Sequence, residues 1–145
     1  MIKRVLMSIF LVGLASIILT GDYALNCLAA NDDKHTKSPF KGQYSGPYTV
    51  ESSVFGEQTG RFTLSIDKNG EVTGKAENYT IARSADISGS VNEDGDVKLI
   101  LEWSDSTYTM KGTVTKTRTG HLKGTLTQYA GKEVIATIKM DLQPK

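Results

Sequence analysis

Met110-Lys111-Gly112-Thr113-Val114-Thr115 returns a few residues later as Leu122-Lys123-Gly124-Thr125-Leu126-Thr127, with Lys, Gly, Thr and Thr in the same places. At the period of two that a β-strand imposes, Met110, Gly112 and Val114 share one face, and Leu122, Gly124 and Leu126 share the matching face of the next strand. Lys111, Thr113, Lys123 and Thr125 fall on the other. The phrase apolar-x-Gly-x-apolar also occurs at Tyr44-Ser45-Gly46-Pro47-Tyr48, Val72-Thr73-Gly74-Lys75-Ala76 and Ile87-Ser88-Gly89-Ser90-Val91. The pattern predicts a meander of half-buried antiparallel strands.

Working outward, the same alternation predicts eight strands, at 42–50, 61–67, 71–78, 86–92, 96–104, 107–116, 121–128 and 133–142. The inward sets include Tyr44, Tyr48 and Val50; Phe62, Leu64 and Ile66; Val97, Leu99, Leu101 and Trp103; and Val134, Ala136, Ile138, Met140 and Leu142. Ile100 interrupts an otherwise polar outer face, and Pro47 falls on the outward parity, where a missing N–H is tolerated at a weak seam. Asp67-Lys68-Asn69-Gly70 and Asn92-Glu93-Asp94-Gly95 supply hairpin turns, since Asn and Gly accept positive φ. No stretch beyond residue 30 carries a helical period. The expected fold is all-β, a single eight-stranded antiparallel up-and-down barrel, in which closure removes exposed edges. A two-sheet β-sandwich is the alternative. Inward glycines favour closure, because coiled strands need close approach and glycine inside a strand is otherwise costly.

The chain has 145 residues. Residues 1–30 read as a secretory signal: Lys3 and Arg4, an apolar run from Val5 to Leu19, then small residues at Ala24, Ala29 and Ala30. That run is short for a membrane span. The alternative makes Cys27 the lipidated first residue of an anchored lipoprotein, the one route by which a membrane enters. Cys27 is the only cysteine, so no intrachain disulfide can form and about 115 residues must be held by one core. Residues 31–41 are polar, carry His35 and Pro39, and read as a flexible leader. The barrel domain is then 42–145. Lys+Arg number 17 and Asp+Glu 16, and without a basic cluster there is no electrostatic footprint for nucleic acid.

Chemistry-bearing motifs are absent. There is no Gly-x-Ser-x-Gly elbow, phosphate loop, zinc-protease helix or dinucleotide fingerprint. His35 and His121 are too few for a usual zinc site, and His121, beside a turn, has no partner that spacing would single out as a base. Asn78-Tyr79-Thr80 fits a glycosylation acceptor only. No enzyme, metal or cofactor is expected.

Connection lengths divide the barrel into two ends. Those after strands two, four and six are tight and polar; those at 52–60 and 79–85 are longer and carry Val54, Phe55, Tyr79, Ile81 and Arg83. Inward positions toward that decorated end are Val50, Phe62, Asn78, Ile87, Trp103, Tyr108, Gln128 and Val134. They are apolar or neutral and hydrogen-bonding, with no charge. Phe55, Phe62, Asn78, Tyr79, Trp103, Tyr108 and Gln128 are therefore the candidate binding residues for a small apolar or aromatic ligand. The alternative is a protein-interaction module of the cell envelope, an inhibitor or adhesion accessory, using the 52–60 and 79–85 loops.

Gly42-Gln43-Tyr44 at the start of eight meandering strands resembles the calycin group, the lipocalin-like and avidin-like barrels, which open on Gly-x-Trp. The resemblance spans 42–142 and implies a barrel with an open mouth for a small molecule. With Trp103 alone, the several tryptophans of an avidin-like biotin site are missing.

The export reading makes a mass prediction. The exported form should begin near Ala30 or Asn31 and contain no thiol, as intact-mass spectrometry will show; a diacylglycerol adduct on Cys27 would establish the lipoprotein instead.

Overall fold

The computed structural model describes residues Lys37–Lys145. The signal at 1–30, with Cys27, and the leader residues 31–36, with His35, lie outside the described residues. Eight strands follow one another in chain order: β1 (Gly42–Ser52), β2 (Gly56–Ile66), β3 (Glu71–Asn78), β4 (Arg83–Val91), β5 (Asp96–Glu102), β6 (Thr107–Lys116), β7 (Leu122–Ala130) and β8 (Glu133–Pro144). Each pairs antiparallel with its neighbours, and β8 returns to β1 to close an up-and-down barrel. The sandwich alternative is thereby set aside.

Inward parity produces the core. Tyr44, Phe62, Leu64, Ile66, Leu99, Met110, Leu122, Leu126, Ile138 and Leu142 are each at most 3% exposed, and full burial of one such side chain contributes about 1.5–3 kcal/mol. The outward positions are mostly Lys, Thr, Ser and Glu, with Ile100 and Val134 as exposed apolar exceptions.

Three hairpins at one end share a construction. Asp67 Oδ1 accepts from the Asn69 and Glu71 N–H groups, at 2.8 and 2.9 Å, and Asn92 Oδ1 accepts from Asp94 and Asp96, at 3.0 and 2.8 Å. Thr117 Oγ1 plays the same part for the His121 N–H. A glycine with positive φ completes each turn: Gly70 at 83°, Gly95 at 89° and Gly120 at 82°. The side chain that starts each turn stands in for a backbone acceptor, and the glycine supplies the conformation that L-residues avoid. Beside the third hairpin, His121 Nδ1 meets Asp141 Oδ1 at 2.8 Å, with Lys123 Nζ on the other oxygen at 3.0 Å. His121 thus does have a partner, across the barrel wall on β8.

Four expectations are corrected. The 52–60 connection shrinks to Ser53, Val54 and Phe55, because Gly56–Gly60 pair with Ser52–Tyr48 as a continuation of β2. The 79–85 connection similarly loses Arg83, Ser84 and Ala85 to β4. Val134 points outward and is 63% exposed: Tyr129 pairs with Val134 but Gln128 pairs with Ala136, so Ile135 is an extra residue and the bulge reverses parity beyond it. Finally, the described part of the leader is packed. Ser38 and Phe40 are buried, the Ser38 N–H donates to Lys68 O, and Tyr44 Oη donates to Phe40 O at 2.7 Å. Phe40 closes the tight-turn end of the barrel.

Inward glycines stand where strands approach closely. A Cβ on Gly112 would lie 2.9 Å from Leu126 Cα and against the Thr125 carbonyl; one on Gly124 would lie 2.7 Å from Thr113 O. Backbone atoms cannot move aside as a side-chain tip can. Gly112→Val should therefore lower stability by about 1–3 kcal/mol in chemical denaturation, while Thr113→Val, on the outer face, leaves the midpoint nearly unchanged. Parental stability for Gly112→Val would show the parity assignment to be wrong.

Candidate functional site

The barrel interior is filled at one end and open at the other. Between Leu64, Ile66, Val72, Leu99, Val114 and Met140 the remaining void is about 10 Å³, no more than one water requires. Toward the connections after β1, β3, β5 and β7 a cavity of about 120 Å³ opens to solvent. Sequence explains the change. Inward residues in the filled half are mostly branched aliphatics, whereas one row crossing β1 to β4 reads Gly46, Phe62, Ala76, Ala85. One ring and three small residues leave room above them.

The floor of the cavity is the stacked pair Tyr48 and Phe62, with ring centroids 4.1 Å apart and planes 21° from parallel. Gly60 makes this possible, since a Cβ there would come 2.5 Å from Tyr48 Cζ. Burial, with the Tyr79 phenol adding to it, pushes the Tyr48 phenol up to about 12, so its hydroxyl is neutral at any physiological pH. Val50, Leu101 and Ile138 complete the lower wall, and Trp103, Tyr108 and Gln128 the upper.

Six of the seven candidates from sequence line this cavity: Phe55, Phe62, Asn78, Trp103, Tyr108 and Gln128. Tyr79 does not line it; the residue is 59% exposed and its hydroxyl accepts from Arg61 Nε at 3.3 Å. Asn78 is 4% exposed and its amide makes three hydrogen bonds within the protein. Nδ2 donates to Gln58 Oε1 at 2.7 Å, while Oδ1 accepts from the Thr80 and Ile81 N–H groups at 3.1 and 3.3 Å. Asn78 thus holds the β3–β4 turn, where Ala82 adopts a φ of 52°. Ser52 does the same for the β1–β2 turn. Its Oγ donates to Ile135 O at 2.6 Å and accepts from the Val54 and Phe55 N–H groups, both at 3.1 Å.

The sequence places Arg83 in the 79–85 connection, one of the loops of the protein-interaction alternative, and gives it no contact with the cavity. Its guanidinium lies over the Trp103 ring, 5.4 Å from the centroid, and Nη2 donates to Asp105 Oδ1 at 2.6 Å and Ser104 Oγ at 3.2 Å. One side chain therefore ties the β3–β4 lip to the β5–β6 lip and covers the indole. The hydrogen bond from Arg83, then that from Ser106, holds the Asp105 carboxyl below the ordinary aspartate value. No local spacing signals this contact, since it spans two hairpins.

Among the described residues no group of three or more His, Cys, Asp or Glu side chains could hold a metal ion. Comparison with known proteins found no matching family model, no matching curated protein and no matching solved structure.

The lip contact makes a prediction about Trp103. A depressed carboxyl favours the folded state above the ordinary value of 3.8, and that contribution disappears as pH falls through the lower folded value. Trp103 emission should therefore be flat from neutral pH down to about 4 and change only below it. Arg83→Ala should shift emission to longer wavelength and admit iodide quenching at every pH. An unchanged spectrum in Arg83→Ala would mean that the clamp does not shield the indole.

Proposed function

We propose that this chain is an exported, non-enzymatic binding barrel whose mouth accepts a small apolar or aromatic group. The observation that carries the reading is the division of the interior: a filled half with about 10 Å³ of void, and a half with about 120 Å³ beneath Trp103 and Tyr108. Closed barrels of eight strands have an interior that side chains alone can fill, and here about 120 Å³ at one end is left unfilled. Its lining is aromatic and aliphatic with a few neutral polar groups and one charged residue, Arg83 at the lip, the usual composition of a small-molecule pocket. The calycin resemblance points the same way. Export rests on the signal-like segment at 1–30.

A second reading has its own observation. Val54, Phe55, Tyr79 and Ile81 are 63%, 49%, 59% and 43% exposed and sit on the β1–β2 and β3–β4 turns at the mouth. An apolar collar of this kind suits a protein partner of the cell envelope, with the barrel as an inhibitor or adhesion accessory.

The lone tryptophan makes the test simple. Titration with lipids, isoprenoids and small aromatic compounds should change Trp103 fluorescence saturably for at least one class, and Tyr108→Ala should weaken that response. If no class responds, the small-molecule reading fails and the collar is the surface to pursue.

A further inference from the structure

Gln128 stands out among the groups that line the mouth. It is 8% exposed, on the inward parity of β7 after Leu122, Gly124 and Leu126. Its neighbours in register are Met110 on β6 and Ala136 on β8, and neither side chain offers a hydrogen bond. The other buried amide, Asn78, makes three hydrogen bonds within the protein. No described residue bonds the Gln128 amide. Yet among the described residues no fully buried side-chain N or O atom lacks a partner, so the Gln128 amide atoms reach the open space of the cavity they line. An amide carries two donors and an acceptor with two lone pairs, and leaving such a group desolvated without partners costs about 1–3 kcal/mol.

The backbone at this point is also built specially. The β7–β8 ladder shifts register between Gln128 and Tyr129, and bulges beside binding sites commonly re-aim a side chain. Upstream of the bulge Gln128 faces in, and beyond it Val134 faces out.

Two further observations bound what would meet this amide. The cavity is about 120 Å³, close to the roughly 150 Å³ at which an engineered apolar cavity takes benzene and far below the roughly 300–1,000 Å³ of sites for drug-sized ligands. Its interior is uncharged: the phenol of Tyr48 stays neutral, and Arg83, at the lip, is held by Asp105. A carboxylate entering the mouth would have to compete with Asp105 for Arg83, the one cation in the lining, and one buried away from it would be unpaired.

We infer that, if the mouth is a binding site as proposed above, its ligand presents a single uncharged planar ring with an adjacent donor and acceptor, read by the Gln128 amide against the Trp103 and Tyr108 rings. Aryl carboxamides, pyridones and nucleobase-like edges belong to this class. Acyl chains and aromatic carboxylates do not.

Three probes of similar size separate the terms: benzamide, toluene and benzoate, each titrated against the described barrel within the full exported chain. Trp103 fluorescence and saturation-transfer NMR are read on the same samples, so that binding silent in one is seen in the other. Benzamide should saturate, with toluene and benzoate at least tenfold weaker at pH 7. Gln128→Leu should lose benzamide affinity tenfold or more while holding or improving toluene. Tyr108→Phe, which keeps the ring, should retain the preference for benzamide and serves if Gln128→Leu does not fold by circular dichroism. Equal binding of toluene and benzamide would overturn the role of Gln128 while leaving a binding mouth. Benzoate as the tightest probe would overturn it in favour of Arg83. Loss of benzamide selectivity in Tyr108→Phe would move the recognition to that hydroxyl, and no binding of any probe would fail the mouth itself.

Discussion

Everything in this barrel depends on the seam where its last strand meets its first. β8 pairs with β1 through Tyr44 with Pro144, Tyr48 with Met140 and Val50 with Ile138, and that ladder turns a meander with two open edges into a closed wall. The seam tolerates one interruption. Pairing skips Gly46 and Pro47, where proline has no N–H to give and glycine lies against the Asp141 carbonyl. A β-branched residue at Gly46 would press the two strands apart at the point where the ladder is already thin. Once the seam is closed, eight strands fix an interior of limited width, and the only remaining freedom is which side chains occupy it.

That freedom is used unevenly. Aliphatic side chains meet across the end that carries the Asp67, Asn92 and Thr117 turns, and Phe40 covers it from outside. At the other end the inward set changes to aromatic rings, alanines, glycine and amides, which cannot interlock as densely. The lip is then secured by polar contacts in place of packing: Ser52 to Ile135, Asn78 to its own turn, and Arg83 to the opposite hairpin. Such contacts order a rim without filling the space within it.

Parity was legible in sequence because a closed barrel with an apolar interior enforces it on every strand. The turns were legible where a capping side chain and a glycine stand at fixed offsets, as at Asp67 and Gly70. Strand lengths were not: Gly56, Glu57, Gln58 and Thr59 carry no apolar alternation, yet they extend the ladder, since backbone hydrogen bonds do not depend on which side chains face out. Val134 was misplaced because a bulge adds one residue without any compositional mark. Phe40 was missed because one apolar residue in a polar run has no period. Most of the mouth could be anticipated from inward parity near the connections that carry Phe55 and Ile81, whereas Arg83 over Trp103 is a contact between two hairpins that only the closed wall brings together.

The closure has a geometric corollary. Lys37–Lys41 enter beneath the barrel, and at the other terminus the Lys145 N–H donates to Gln43 O, so the two ends of the described chain leave side by side from the filled pole. Whatever is joined at Lys37 or Lys145 is attached there, with the open pole directed away from the junction. Immobilisation of the barrel through Lys37 or Lys145 leaves the mouth facing the solvent, and a short splice between these two residues would give a circular barrel that could be reopened at any exposed turn.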